Sequence, residues 1–184
     1  MGFYFDQTRC IGCLTCVVAC KDAHDIAAGP VSWRRVTEIE GGKFPKVFVS
    51  FLSSACYHCR RPACIPACPS GAVHKRERDG IVVVDREKCL GREDCGLCRE
   101  ACPYGAPQFG DEEDAKMQKC DLCLDRRSMG KPPICVAACR TRALDAGPID
   151  ELKAKYGGGN EENGLSHSER LQPSVIFKAK VWLK

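Results

Sequence analysis

Apolar and polar positions alternate along this chain in short blocks, each the length of a small strand or a turn or two of helix. "GFYF" (Gly2–Phe5) is an apolar run of strand length and is predicted as an edge strand. "VVACKDAHDI" (Val17–Ile26) starts as a short helix. "FPKVFVSFLSS" (Phe44–Ser54) is β-branched and aromatic, side chains that pack well on a pleated surface, and predicts a strand. "AVHKRERDGIVVVD" (Ala72–Asp85) predicts a hairpin with Asp79-Gly80 as its turn. "AKMQKCDLCLDRRSMG" (Ala115–Gly130) reads as a loop entering a short helix. "GGGNEENGLSHSE" (Gly157–Glu169) reads as a mobile loop, and "PSVIFKAKVWLK" (Pro173–Lys184) as a terminal strand or docking tail. No apolar run reaches the roughly 18 residues that span a bilayer. The opening "MGFYFDQTRC" lacks the basic and apolar regions of a signal peptide.

Composition changes this picture. None of these elements could build a large core, yet 16 of 184 residues are cysteine. Three long gaps divide them into Cys10/Cys13/Cys16/Cys20, Cys56/Cys59/Cys64/Cys68, Cys89/Cys95/Cys98/Cys102 and Cys120/Cys123/Cys135/Cys139. The first group is C-x2-C-x2-C-x3-C, and the others are that pattern with one spacing lengthened, so the chain carries a fourfold repeat. Disulfide frameworks belong to short secreted chains, and such close spacing suits wrapping a metal better than pairwise bridges. Structural zinc favours paired C-x2-C units a dozen or more residues apart, which only Cys120/Cys123 resembles.

A cubane iron–sulfur cluster needs four thiolates around a compact anionic core. Three cysteines at two-residue spacing on a tight loop reach three irons, and in two-cluster ferredoxin runs the fourth cysteine ligates the other cluster. Cys10, Cys13 and Cys16 then serve one cluster, and Cys20, at the start of a helix, serves a second. Cys68-Pro69 and Cys102-Pro103 repeat the Cys-Pro that ends the bacterial ferredoxin run. Gly12, Gly91 and Gly96 stand where the backbone turns sharply or approaches a cluster. A protein of this kind leans on its cofactor for stability.

Charge supports this reading. The formal net charge is +4, which invites a nucleic-acid or anionic-membrane partner. Metal-bound cysteines are thiolates, however, and four oxidised cubanes at about −2 each with their ligands would take the net charge to about −4. The basic residues then compensate buried anions, and no nucleic-acid footprint remains.

Taken together, "RCIGCLTCVVACKD", "FPKVFVSFLSSACYHCRRPACIPACPSGAV", "ACPYGAPQF", "MQKCDLCLDRR", "GKPPICVAACRTRALDAGPI" and "LQPSVIFKAK" resemble the iron–sulfur B subunits of the dimethyl sulfoxide reductase family of molybdopterin enzymes. The resemblance runs from residue 1 to about residue 180. It implies an α+β fold of two pseudo-symmetric ferredoxin-like lobes. One lobe combines residues 1–55 with 105–150, the other is 56–104 with the hairpin 72–85, and 151–184 forms the loop and docking tail. It also implies four [4Fe-4S] clusters: one on Cys10, Cys13, Cys16 and Cys139; one on Cys20, Cys120, Cys123 and Cys135; one on Cys56, Cys59, Cys64 and Cys102; and one on Cys68, Cys89, Cys95 and Cys98. The implied role is an electron wire in anaerobic metabolism. It runs between a molybdenum or tungsten bis-pterin catalytic subunit and a membrane anchor or soluble acceptor. The chain itself would bind neither substrate nor pterin, and would be peripheral in its complex, on either face of the membrane.

Two departures from the family pattern matter. Five residues separate Cys89 from Cys95 where the family has two, so Cys89 ligates through a wider loop or the last site holds a three-iron [3Fe-4S] cluster or a non-cysteine ligand. Arg140 follows Cys139 where ferredoxin runs have proline, and is either solvated or a cation that raises a cluster potential. His58, between Cys56 and Cys59, reads as a neighbour of a cluster rather than a ligand. His24, His74 and His167 carry no signal, Trp33 and Trp182 are packing or interface residues, and "HKRERD" (His74–Asp79) is a solvated hairpin face. Lys21, Arg60, Arg61 and Arg99 lie close to cysteines and are candidates for charge tuning. A free polyferredoxin shuttle and a zinc-stabilised structural protein are the competing functions.

Overall fold

The computed structural model describes residues 1–159 and 168–181. β1 (Gly2–Asp6) is the middle strand of a three-stranded sheet. β6 (Leu144–Gly147) pairs with it antiparallel, and β7 (Val175–Lys178) pairs with it in parallel. The expected edge strand at Gly2–Phe5 is therefore an error. All five β1 residues are buried, as a run apolar on both faces requires once both edges are paired. Partners so distant in sequence leave no trace in a local window. The terminal strand expected beyond Pro173 is β7.

Phe3 and Phe5 face a core with Leu144, Val175 and Phe177. Tyr4 points the other way and stacks on Tyr156 with ring centroids 3.6 Å apart. Tyr156 belongs to α5 (Ile149–Tyr156), an element not expected from the sequence. Its signals are present: Pro148 before it, Asp150 and Glu151 in the first turn, Lys153 and Lys155 in the last, and Ile149, Leu152 and Tyr156 on one face.

β2 (Arg35–Lys43) pairs antiparallel with β3 (Lys46–Ser54), from Arg35 opposite Ser54 to Lys43 opposite Lys46. β3 is the expected strand. β2 was not expected, because its residues are half-buried or exposed throughout and their apolar signal is weak. Val73–Lys75 (β4) and Val82–Val84 (β5) form the expected hairpin. Its connection spans residues 76–81 rather than a two-residue turn. Gly80 takes a positive φ there (71°), and Asp79 Oδ1 accepts the Ile81 N–H.

Helices near the cysteines are short: α1 (Thr15–Ala23), α2 (Leu97–Glu100), α3 (Leu124–Ser128) and α4 (Ile134–Ala137). α1 stops short of Ile26, since Asp25 turns to φ 49°. α3 is the short helix expected within 115–130. Most of the loop 157–169, and Trp182, lie outside the described residues.

Asp6 ties β1 to its neighbours. Burial alone would push its carboxyl up, but hydrogen bonds from the Thr8 hydroxyl and N–H, with Lys178, outweigh this and hold it below the usual carboxylate range. A depressed folded-state value gives stability that is fully present above the unfolded value of about 3.9 and is lost as pH falls through the folded one. Asp6→Asn is therefore expected to cost about 1.5–3 kcal/mol, the range for hydrogen bonds to a charged group. The cost should be flat from about pH 8 to 5, because Asp6 is ionised in both states across that window. Urea unfolding of both proteins at several pH values checks this, and a cost that fades by pH 6 would contradict it.

Candidate metal centres

All sixteen cysteines are free thiols, and ten of them are buried. Cys10, Cys13 and Cys16 lie on the loop between β1 and α1, which turns through positive φ at Gly12 (69°) and Leu14 (58°). A Cβ on Gly12 would come within 2.5 Å of the Phe51 ring, so this position needs glycine for both space and conformation. The loop faces Cys139, just after α4, across a small cavity that Cys10, Cys13, Cys16 and Cys139 line together with Phe5, Val36 and Leu144. N–H and hydroxyl donors converge on the sulfurs. The Ala143 N–H reaches Cys139 Sγ at 3.3 Å, and the Thr15 hydroxyl reaches Cys13 Sγ at 3.4 Å.

A second cavity is lined by Cys56, Cys59, Cys64 and Cys102, walled by Tyr57, Pro62, Tyr104 and Leu171. The remaining eight cysteines fall into two groups by mutual proximity. α1 packs on α4 and sets Cys20 beside Cys135 and Cys123, while Cys120 also feels Cys135. Around Cys98 the charges that matter are those of Cys89, Cys68 and Cys95. Cys89 thus stands with this last group despite its longer spacing, and its Sγ accepts the Met117 N–H at 3.4 Å.

The four groups follow one another through the charges they exert. Cys135 of the second is among the charges that act on Cys16 of the first, Cys56 of the third on Cys120 of the second, and Cys98 of the fourth on Cys64 of the third. Burial, reinforced by neighbouring sulfurs, pushes the thiols of Cys20, Cys59 and Cys64 up to about 12 and those of Cys98 and Cys123 to about 11. Cys13, the one exposed cysteine, is held low by the Thr15 hydrogen bonds, with a smaller contribution from exposed Arg140. Thiols this unwilling to ionise, clustered and unbridged, suit a polynuclear cation core that supplies the compensating charge as their protons leave.

Two buried cations and one histidine complete the surroundings. Lys119 is 2% exposed, and its Nζ donates to the carbonyls of Val82 and Cys120. Arg34 is 2% exposed, and its Nη1 donates to Ser53 Oγ at 3.0 Å. His24 Nε2 lies 3.2 Å from Cys123 Sγ, and its ring packs on Trp33. Lys119 adjoins a cysteine in sequence and could have been suspected, whereas "SWRR" gives Arg34 no signal. His58 is fully buried, its Nδ1 accepting the Val82 N–H and lying 3.9 Å from Cys56 Sγ. Burial holds it well below the ordinary histidine range, hence neutral. In "HKRERD", His74 is exposed and Arg78 projects into solvent, but Lys75 tucks onto the Cys59 and Arg60 carbonyls. Arg60, Arg61 and Arg99 are exposed at the surface.

Comparison with known proteins follows the same lines. Two 4Fe-4S dicluster domains match, over residues 9–72 and 47–149. The B subunit of anaerobic dimethyl sulfoxide reductase from Escherichia coli (strain K12) is 48% identical over 96% of this protein and 87% of its own length. Its namesake from Haemophilus influenzae is 44% identical, over 96% and 88%. The formate dehydrogenase iron-sulfur subunit of Wolinella succinogenes is 40% identical over 82% of each sequence. Free cysteines four to a cavity, two matching dicluster domains and near-full-length relatives agree: this protein belongs to the 4Fe-4S iron–sulfur B-subunit family of the dimethyl sulfoxide reductases.

Proposed function

We propose that this protein is an electron relay with four [4Fe-4S] centres, held by the cysteine sets that the resemblance implies. The observation that carries the reading is the series of four cysteine groups, two of them lining a cavity of their own. Bound there, the clusters supply one-electron sites that cycle without proton transfer. The protein's part is to provide thiolates, to exclude water with Phe5, Tyr57, Tyr104 and Leu171, and to aim N–H and hydroxyl donors at the sulfurs.

The first and second groups use the amino-terminal loop and α4, which supports a lobe built from 1–55 and 105–150. The third and fourth support a second lobe from 56–104, with 151–184 as the closing tail. Both ends of the series carry exposed apolar side chains: Ile11, Leu14 and Val18 around Cys13, and Leu90 and Leu97 around the last group. These ends suit fixed partners more than a freely diffusing shuttle. By the resemblance, one partner is a molybdenum or tungsten bis-pterin subunit and the other a membrane anchor or soluble acceptor. Among the described residues no helix is long and apolar enough to cross a membrane.

Iron and acid-labile sulfide on anaerobically purified protein test the reading. About 16 of each per protein molecule is expected. About 15 iron with full sulfide would mean a three-iron centre and would remove Cys89 from the ligands first. Stoichiometric zinc with little iron would overturn the relay.

A further inference from the structure

Arg34 is a buried cation without a counter-charge. Its side chain lies in the interior, over the Phe3 ring of β1 at 4.6 Å from the centroid. Its Nη1 is satisfied by Ser53 Oγ, which itself lies 3.7 Å from Cys16 Sγ. Its Nη2 is buried with no hydrogen-bond partner. Among the described residues it forms no salt bridge, and the groups that act on it most strongly are the sulfurs of Cys135, Cys120, Cys16 and Cys20. The other buried cation, Lys119, differs because its Nζ already has two carbonyls.

A guanidinium in such a place is unfavourable unless anions face it, and an orphaned buried donor is unfavourable as well. Both conditions are met only when the neighbouring cysteines carry negative charge. Cys16 belongs to the first group, and Cys20, Cys120 and Cys135 to the second. The sulfurs acting on Arg34 thus come from both groups.

We propose that Arg34 is the shared fixed cation of the first two centres, donating its free Nη2–H to a sulfur there and raising both reduction potentials. This rests on the four-centre reading above. Reduction adds one electron and no proton at each centre, so the local charge becomes one unit more negative. A fixed positive charge in a water-excluded interior favours that product, and a hydrogen bond to sulfur does the same. Because one cation faces both centres, its charge raises the two potentials together, and its removal should lower both.

The test is an anaerobic potentiometric titration followed by electron paramagnetic resonance. It uses the holoprotein in its complex as parent, Arg34→Gln and Arg34→Lys. In Arg34→Gln the reduction equilibria of two of the four centres should shift at least about tenfold toward the oxidised form, which is about 59 mV for a one-electron couple. Arg34→Lys, which keeps the charge, should stay within about threefold of the parent. A second measurement uses the unmutated protein. With arginine 15N-labelled in the guanidinium, a 15N coupling is expected on a reduced centre by pulsed spectroscopy, and it should vanish in Arg34→Lys. Four unmoved midpoints in Arg34→Gln at full iron would overturn the proposal. So would the absence of any 15N coupling in the parent, even if Arg34→Gln fails to assemble. A parent with far fewer than about 16 iron would instead defeat the four-centre reading itself.

Discussion

Stripping the iron with a chelator under anaerobic reducing conditions is expected to unfold most of this protein. Ten of the buried core positions are cysteines, and the largest core cluster is threaded with Cys16, Cys56, Cys59, Cys120, Cys135 and Cys139. Without metal these thiols make weak contacts around cavities, and the loops bearing them have nothing to close on. Apart from the local hairpins, the sheet joins residues 2–6, 144–147 and 175–178, so its strands must be gathered across nearly the whole sequence. Loop closure over such distances is costly when no metal shortens the loops. Structural metal sites contribute about 10–16 kcal/mol in small zinc domains, as much as the whole stability of about 5–15 kcal/mol of an ordinary domain. The metal term wins. Circular dichroism and proteolysis during chelation read this directly, and a native spectrum persisting below about one iron per protein molecule would refute it.

Cys120→Ala is expected to be the most damaging single change in the second group. Cys120 is buried, its Sγ accepts the Leu122 N–H at 3.4 Å, and it is coupled to both Arg34 and Cys56 of the next group. On the four-centre reading its loss removes a ligand and one of the anions facing Arg34. Iron should fall from about 16 to about 15 if a three-iron remnant persists, or to about 12 if the centre is shed. Stability should fall by about 3–5 kcal/mol, as when one partner of a buried ion pair is removed. Electron flow between the two ends of the series should stop at the gap, while the third and fourth centres keep their signals. Full iron with unchanged spectra would show that Cys120 is not a ligand.

Features that lie within a few residues of one another were legible along the sequence. The cysteine spacing marked the metal class, and the Asp79-Gly80 hairpin, the β3 strand and the short helix after Cys123 each carried local signals. The local pattern put β1 at an edge because a strand's partners are set by backbone hydrogen bonds to distant segments. Its run of apolar residues did hint at two covered faces, and all five of its positions are buried. α5 was legible in its dipole-matched charges and in Ile149, Leu152 and Tyr156, but eight residues next to a glycine-rich stretch made a short signal.

The class of chemistry was set by composition and spacing alone: sixteen cysteines in four runs, too closely spaced for bridges, imply polynuclear metal centres. Which sulfurs share a cavity was settled by folding, because Cys139 meets Cys10, and Cys102 meets Cys56, through chain reversals that no local spacing encodes. Folding also settled where the compensating charge lies. The cations close to cysteines in sequence, Arg60, Arg61 and Arg99, stay at the surface, where water screens them. Arg34, fourteen residues from Cys20, and Lys119 are the cations the fold carries inside, where a low dielectric strengthens the effect of their charge.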